Sequence, residues 1–105
     1  METNTTKEIA PLAGEAKVVQ LQNIREKYKG DSSAVQRTRL LEALRLYPLS
    51  TLEIRRHLDI LHPAGRVQEL KEEGHEILTM RRKEISEAGL PHSVAVYVLV
   101  KEVRP

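Results

Sequence analysis

The hydrophobic pattern of this chain changes period at Gly74, and that change limits the fold more than any other feature. Before Gly74 the apolar residues recur every three or four positions, as they do in amphipathic helices. After it, segments 75–83 and 93–101 are rich in β-branched and aliphatic residues, which favour strands. Gly89 and Pro91 lie between these segments as turn residues. The pattern predicts a set of helices followed by an antiparallel hairpin.

The first two predicted helices each begin with a capping box, in which side chains bond the free amides of the first turn. Ser33 and Gln36 form the first box, and that helix is expected to end before Pro48. Ser50 and Glu53 form the second box, which is stronger because a glutamate also favours a helix N-terminus. The expected inward side chains are Leu40, Leu41, Leu44 and Tyr47 in the first helix, and Ile54, Leu58 and Leu61 in the second.

The third predicted helix starts at Pro63, since proline is favoured at the first helical position, and it ends at Gly74. Val67 and Leu70 form its buried stripe. At about 100° per residue, the outward positions are Gly65, Gln68, Glu69 and Glu72. Two interpretations of Gly65 stay open. Its missing side chain can let the first turn approach a phosphate or a base edge, or glycine is simply tolerated where amides have no partner within the helix.

The N-terminal third of the chain is predicted to be separate from the main domain. Residues 1–16 are small and polar and are predicted to be a mobile tail. Residues 17–28 place apolar side chains at helical spacing and predict a short helix within the region 1–33. Residues 34–105 then form the main domain.

Composition and motifs exclude several classes of protein. The chain has no cysteine, which removes disulfides and thiolate metal sites, and its four histidines are dispersed. It contains no nucleophile–base grouping and no phosphate-binding glycine loop. No apolar run approaches the roughly 18 residues of a membrane span, and the N-terminus lacks the apolar stretch of a signal peptide. We therefore expect a cytoplasmic, non-enzymatic protein with no metal and no cofactor.

The order of three helices and a hairpin resembles the winged helix-turn-helix domains found in many phage and prophage genes. Residues 94–99 are similar to the second wing strand of that family, and the resemblance covers roughly residues 34–101. It implies an α+β fold, with three helices followed by a two-stranded antiparallel β wing, and a DNA-binding function. The residues that match the family pattern within 48–77 are Leu49, Ser50, Glu53, Pro63, Ala64, Arg66, Glu69, Leu70 and Gly74.

The resemblance implies that the third helix enters the major groove of double-stranded DNA and that the wing contacts the backbone. In that position Gln68 can bond adenine, and Glu69 can accept a hydrogen bond from cytosine. Arg81, Arg82 and Lys83 are predicted to run into the wing loop and grip phosphates. The complete predicted DNA-binding set is Thr51, Arg55, Arg56, His62, Gly65, Gln68, Glu69, Lys71, Arg81, Arg82 and Lys83.

The charge of the chain leaves alternatives open. A net charge of +2, from 17 bases and 15 acids, permits DNA binding without requiring it. Glu69, Glu72 and Glu73 would repel a polyanion, so a winged-helix module that meets a basic protein partner is the alternative. Wing bases can also serve only to solubilise an exposed strand. Arg66 is predicted to pair with Glu53 and hold the second and third helices in register.

The second wing strand is apolar on both of its faces. Valines at 94, 96, 98 and 100 alternate with Ala95, Tyr97 and Leu99. Because the helices cover only one face of a two-stranded wing, the other face needs a cover. Segment 17–28 is one candidate, and a second copy of the chain is another. The second candidate predicts a homodimer through the N-terminal segment or the outer face of this strand. The third interpretation is that the valines only favour a strand on a half-exposed hairpin.

Overall fold

The computed structural model describes residues 13–103 as four helices and a three-stranded antiparallel sheet in the order β1-β3-β2. The helices are α1 Ala13–Lys27, α2 Ser33–Leu46, α3 Thr51–Leu58 and α4 Pro63–Glu72. The strands are β1 Leu49–Ser50, β2 Glu76–Ile85 and β3 Pro91–Lys101. The α+β winged helix-turn-helix arrangement is confirmed. It carries one more helix, and one more short strand, than three helices and a two-stranded wing.

Helix α1 is longer than the predicted short helix and is part of the main core. It begins at Ala13, so residues 13–16 are helical and not part of a tail, while residues 1–12 lie outside the described residues. Leu21 is fully buried and Ile24 nearly so, in one cluster with the apolar side chains of α2 and α3. Helix α1 packs against α2 and α3.

The helix caps agree with the predictions in one case and differ by one residue in the other. Helix α2 is capped by Ser32, not Ser33, and the Ser32 hydroxyl accepts a hydrogen bond from the Val35 amide at 3.1 Å. Adjacent serines offer the same chemistry, so the sequence pattern does not separate them. The box that begins α3 is confirmed, because Ser50 and Glu53 bond each other's backbone amides at 2.9 and 3.1 Å.

The turn between α3 and α4 corrects the prediction for Leu61. Helix α3 ends at Leu58, and Asp59 adopts a left-handed conformation with φ of 56°. The helical spacing that would place Leu61 inward stops there. Ile60 is fully buried in its place, and Leu61 is 67% exposed.

The core stripe of α2 contains one charged residue, Arg39, which is 3% exposed. Its guanidinium donates hydrogen bonds to three carbonyl oxygens, of Tyr28 at 2.7 Å, Gly30 at 3.2 Å and Asp59 at 3.3 Å. Burial lowers the pKa of the Arg39 guanidinium, and the nearby Asp59 and Asp31 partly offset that effect. Buried charge is tolerated at this position because the carbonyls replace water.

The register of the sheet shows which side chains share a face, because directly paired residues point to the same side. Thr79 pairs with Tyr97, which pairs in turn with Leu49, and this face meets the helices. The opposite, outer face carries Leu78 and Met80, which are 52% and 54% exposed. The prediction that segment 17–28 covers the outer face is wrong, since α1 packs on the helices.

The hairpin turn spans residues 86–90. The Ser86 amide donates to the Leu90 carbonyl at 2.9 Å, the Gly89 amide donates to the Ser86 carbonyl at 2.8 Å, and Gly89 has φ of 82°. Bonded and non-bonded pairs alternate along an antiparallel ladder. The pair formed by Ile85 and Pro91 is therefore a non-bonded one. Because no hydrogen bond to β2 is expected from residue 91, the missing amide hydrogen of Pro91 costs the sheet no bond.

The length of β2 corrects the predicted position of the three consecutive bases. Strand β2 continues to Ile85, so Arg81, Arg82 and Lys83 lie inside the strand and not in the wing loop. Side chains alternate between the faces of a strand. Arg81 and Lys83 consequently share the face that continues the core side, and Arg82 points to the outer face.

Candidate nucleic-acid interface

One flank of α4 is joined to α2 by ion pairs. Arg37 of α2 contacts Glu69 at 3.0 Å and Glu73 at 2.9 Å. Arg66 lies 3.0 Å from Glu69 and donates to the Ser33 hydroxyl at 2.9 Å. These contacts fix how α4 lies against α2. They also place arginines beside two of the three glutamates that would face DNA.

The predicted ion pair between Glu53 and Arg66 is wrong. Glu53 contacts Lys17 of α1 at 2.9 Å and Arg82 of β2 at 3.9 Å. Burial raises the pKa of the Glu53 carboxyl, but the hydrogen bonds from Lys17 and the Ser50 amide, with Arg82 nearby, bring it below its ordinary value. Helix α1, which the prediction treated as separate, supplies the partner.

The other flank of α4 is open to solvent. Ala64, Gln68 and Lys71 are exposed and follow one another along that flank at helical spacing. Lys71 has no ion-pair partner within residues 13–103, and Gln68 makes only a long bond of 3.4 Å to Glu72. Donors that can reach a base edge or a phosphate therefore remain free on this flank.

Gly65 lies in the first turn of α4 with space around it. A Cβ atom added there would meet only the Cβ of His62, at 4.0 Å. Neither packing nor a left-handed backbone requires glycine at this position. His62 is the exposed cap residue of α4 and lines a depression together with Asp31, Asp59 and Arg66, and this arginine is already paired with Glu69. That depression carries acidic groups, and it is a poor environment for a phosphate.

A shallow cleft of about 340 Å³ lies between the start of α3 and the hairpin. Its lining includes the side chains of two arginines, Arg55 and Arg81, and no carboxylate. Thr51 also lines it and donates to the Ala95 carbonyl at 3.5 Å. The complete lining is Thr51, Leu52, Arg55, Arg81, Ser93, Val94, Ala95 and Tyr97.

Arg55 connects this cleft to the start of α4. Its guanidinium donates to the Leu61 carbonyl at 3.2 Å, in the turn that leads into α4. Arg81 faces it across the cleft, and Lys83 continues on the same face of β2. Neither Arg81 nor Lys83 has an ion-pair partner in the part of the chain that the structure describes. We call Arg55, Arg81 and Lys83 the basic ridge.

The opposite side of α3 has a different charge balance. Arg56 and His57 line a larger cleft, of about 660 Å³, beside the wing turn. Burial, with the adjacent Arg56, lowers the pKa of His57. Arg82 also lies on this side and contacts Glu84 at 2.6 Å. We call this the mixed-charge cleft, and its charged lining is Glu53, Arg56, His57, Glu84 and Glu87.

Two arginines of α2 have structural roles that the sequence analysis missed. Arg37 neutralises glutamates of α4 through contacts between helices distant in the chain, which no local pattern indicates. The position of Arg39 could have been recognised in the sequence, because it is next to Leu40 and four residues before Ala43, within the apolar stripe of the helix. A charged residue at such a position indicates a buried structural role.

Other kinds of site find no support in residues 13–103. That range contains no group of three histidine, aspartate or glutamate side chains that could hold a metal ion. Within the same range, every helix is too short or too polar to cross a bilayer.

Comparison with known proteins yields one match. A family model described as "Winged helix-turn-helix domain" matches residues 35–102, which is more than half of the chain. Its start is one residue after the predicted beginning of the main domain at 34. Searches of curated proteins and of solved structures found nothing that matches the chain. Domains of this type typically bind DNA and are typically non-enzymatic.

Proposed function

The chain belongs to the winged helix-turn-helix domain family, and we propose that it binds double-stranded DNA without catalysing a reaction. Its role would be that of a transcriptional regulator or an accessory factor, as in the phage and prophage domains that its sequence resembles. Helix α4 would enter the major groove, and the hairpin would contact the phosphate backbone alongside.

The basic ridge is the observation that carries this proposal. Arg55 bonds the turn that leads into α4, and Arg81 lies across a cleft whose lining has no carboxylate, with Lys83 next on the same face of β2. Phosphate contacts by such bases supply affinity that does not depend on sequence. Gln68 and Lys71 on the open flank of α4 would then face the bases or the adjoining phosphates.

The geometry supports part of the predicted DNA-binding set. The contacts that we propose are Thr51, Arg55, Gly65, Gln68, Lys71, Arg81 and Lys83. We leave Glu69 out because it pairs with Arg37 and Arg66. We leave out Arg56, Arg82 and His62 because acidic side chains surround them.

The alternative, a module that binds a basic protein partner, has less support. It depends on three free glutamates along α4. Glu69 and Glu73 are engaged by Arg37, and only Glu72 among them lacks an arginine partner within residues 13–103. The acidic surface offered to a basic partner is correspondingly small.

A binding titration at two salt concentrations tests the proposal. We expect the chain to bind a mixed-sequence duplex with an affinity that falls steeply as salt rises. Arg81→Ala combined with Lys83→Ala should reduce the salt slope by roughly two, about one for each lost contact. The matched control, Lys27→Ala combined with Lys101→Ala, removes the same charge from α1 and the far end of β3 and should leave the slope unchanged. Absence of binding at low salt would overturn the proposal and favour the protein-partner alternative.

Gly65→Leu tests the approach of α4 to DNA. The site has room for a side chain, and leucine is a better helix former than glycine by about 0.8 kcal/mol. We expect the melting temperature to rise slightly and the DNA affinity to fall, since the first turn could no longer approach the groove closely. A rise in stability with unchanged affinity would show that Gly65 is only tolerated there.

A further inference from the structure

Strand β2 is the edge of the sheet, and its outer side has no partner within residues 13–103. It is ten residues long and continuous. The one register shift of the hairpin, at Glu76 and Ile77, places the extra residue on β3, because Glu76 pairs with Lys101 and Ile77 with Leu99. A long edge of this kind is a ready template for another strand.

The hydrogen-bonding groups of this edge can be assigned from the turn. Because Ser86 and Leu90 form a bonded pair, the bonded pairs between β2 and β3 are those of the even-numbered residues of β2. The odd-numbered residues, among them Ile77, Thr79 and Arg81, therefore direct their N–H and C=O groups away from β3. These groups are free to pair with an added strand.

The outer face of the same strand is self-complementary. In order, its even-numbered residues are Glu76, Leu78, Met80 and Arg82, which read acid, apolar, apolar, base. If two copies pair antiparallel about Thr79, Glu76 lies opposite Arg82 of the second copy, and Leu78 lies opposite Met80. Opposite charges and apolar pairs directly across a ladder are both stabilising.

We propose that β2 pairs with β2 of a second copy of this chain, centred on Thr79, to form a continuous six-stranded sheet. In the dimer each Glu76, which has no ion-pair partner within residues 13–103, would gain an arginine opposite it. The exposed side chains of Leu78 and Met80 would cover each other at the same time. Shifting the centre by one residue to Met80 places Glu76 opposite Glu84 and Leu78 opposite Arg82. That register is disfavoured by like charges, so the pattern favours Thr79 over Met80 as the centre.

The charge pairs and apolar pairs of the proposed dimer do not involve the basic ridge. Arg81 and Lys83 lie on the core-side face of β2, opposite to the face that carries these pairs. In the proposed register Arg81 lies across from Ile77 of the second copy. Strand pairing with a narrow apolar ladder buries less than the roughly 1,600 Å² of a standard interface. We therefore expect a weak dimer, with a dissociation constant on the order of micromolar or above.

Sedimentation velocity of the full chain, from low-micromolar to millimolar concentration, tests the pairing. The wild type should shift from monomer to dimer over that range. Glu76→Arg and Arg82→Glu should each stay monomeric alone, because each places like charges across the axis. Mixed in equal amounts they should form a heterodimer, since every cross-strand charge pair is then opposite. Glu87→Arg, the same charge change in the wing turn, should dimerise like the wild type.

A second pair of variants covers the loss of the Arg82 contacts to Glu84, which could unfold Arg82→Glu. Leu78→Lys and Met80→Glu change exposed side chains only, and they should also be monomeric alone and dimeric when mixed. A wild type that stays monomeric throughout would overturn the proposal. So would a dimer that survives Leu78→Lys, or folded single variants that fail to associate when mixed.

Discussion

The two sides of α3 carry similar numbers of basic groups but differ in how those groups are compensated. On one side, the cleft that Arg55 and Arg81 line has no carboxylate. On the other side, Arg56 and His57 share a cleft with Glu53, Glu84 and Glu87. Adjacent arginines on one short helix therefore have opposite electrostatic surroundings. For a polyanionic ligand the position of the acids matters as much as the position of the bases.

This difference explains why the net charge is a poor guide for this molecule. Several acids are engaged inside the fold, as where Glu42 of α2 and Glu102, which follows β3, both contact Arg45. The hydrogen bond to Glu102 raises the pKa of the Arg45 guanidinium above its ordinary value. Bases engaged in this way hold the fold. Within residues 13–103, bases without an ion-pair partner lie on helices as well as on the hairpin, and three of them, Arg55, Arg81 and Lys83, form the basic ridge.

The largest expected effect comes from reversing one charge on each side of α3. Arg55→Glu places a carboxylate on the basic ridge, and we expect DNA affinity to fall about tenfold or more, since a phosphate contact is lost and a repulsion gained. Arg56→Glu makes the same change in net charge one residue later and should reduce affinity much less. Equal losses for the two variants would show that only the total charge matters. Melting temperatures of both variants exclude unfolding as the cause.

A smaller effect is expected for Glu53→Gln, which tests whether the acids of the mixed-charge cleft serve the fold. Its carboxylate bonds Lys17 and the Ser50 amide, so the variant should lose about 1–2 kcal/mol of stability at neutral pH. DNA affinity should change little.

The pH dependence of this loss follows from the depressed pKa of Glu53. A carboxyl whose pKa is lower in the folded than in the unfolded state stabilises the protein at a pH above its unfolded-state pKa, here 4.5. That stabilisation is lost as the pH falls through the folded-state pKa. The difference between wild type and Glu53→Gln in thermal melts should therefore shrink as the pH falls below 4.5. Glu87→Gln is the control and should show no difference at any pH. If the stability difference between wild type and Glu53→Gln persisted in acid, the negative charge of Glu53 would not be the source of the stabilisation.

The smallest effect is expected for Glu84→Gln. This change removes the partner of Arg82 at 2.6 Å and frees a base on the hairpin. We expect DNA affinity to rise by roughly two- to threefold, with a slightly steeper salt slope. Glu42→Gln also removes an acid that pairs with an arginine, but on α2, and should leave affinity unchanged. Unchanged affinity for Glu84→Gln would place Arg82 outside the reach of DNA, and lower affinity would show that Glu84 has a structural role.

The sequence predicted the parts of the fold that depend on local chemistry. Three features follow from neighbouring residues and are found: the box of Ser50 and Glu53, the start of α4 at Pro63, and the stop of α4 just before Gly74, which has a positive φ. The short strand β1 was not predicted, because it exists only through its pairing with Val96 and Tyr97 of β3. Two residues carry too little pattern to indicate a strand.

The candidate site was less predictable for the same reason. Arg81 and Lys83 lie on one face of β2 and Arg82 lies on the other. This alternation could not be predicted, because the sequence analysis ended the strand before Ile85 and put these bases at the wing loop. That Glu69 is engaged depends on Arg37, which is 32 residues away in the chain. Helical periodicity placed Gln68 on the surface, where the structure has it, but the partners of each charge come from tertiary packing.

Arg39 has a consequence for how this molecule opens. Its one guanidinium holds carbonyls of the α1–α2 connection and of the turn before α4. Detaching either segment alone would leave a buried donor without an acceptor, so the two segments are expected to detach together. Their amides should then exchange with solvent through a common opening event, and α1 would protect the α3–α4 turn from local fluctuation. A helix that adds nothing to the basic surface would in this way set the rigidity of the turn that presents α4.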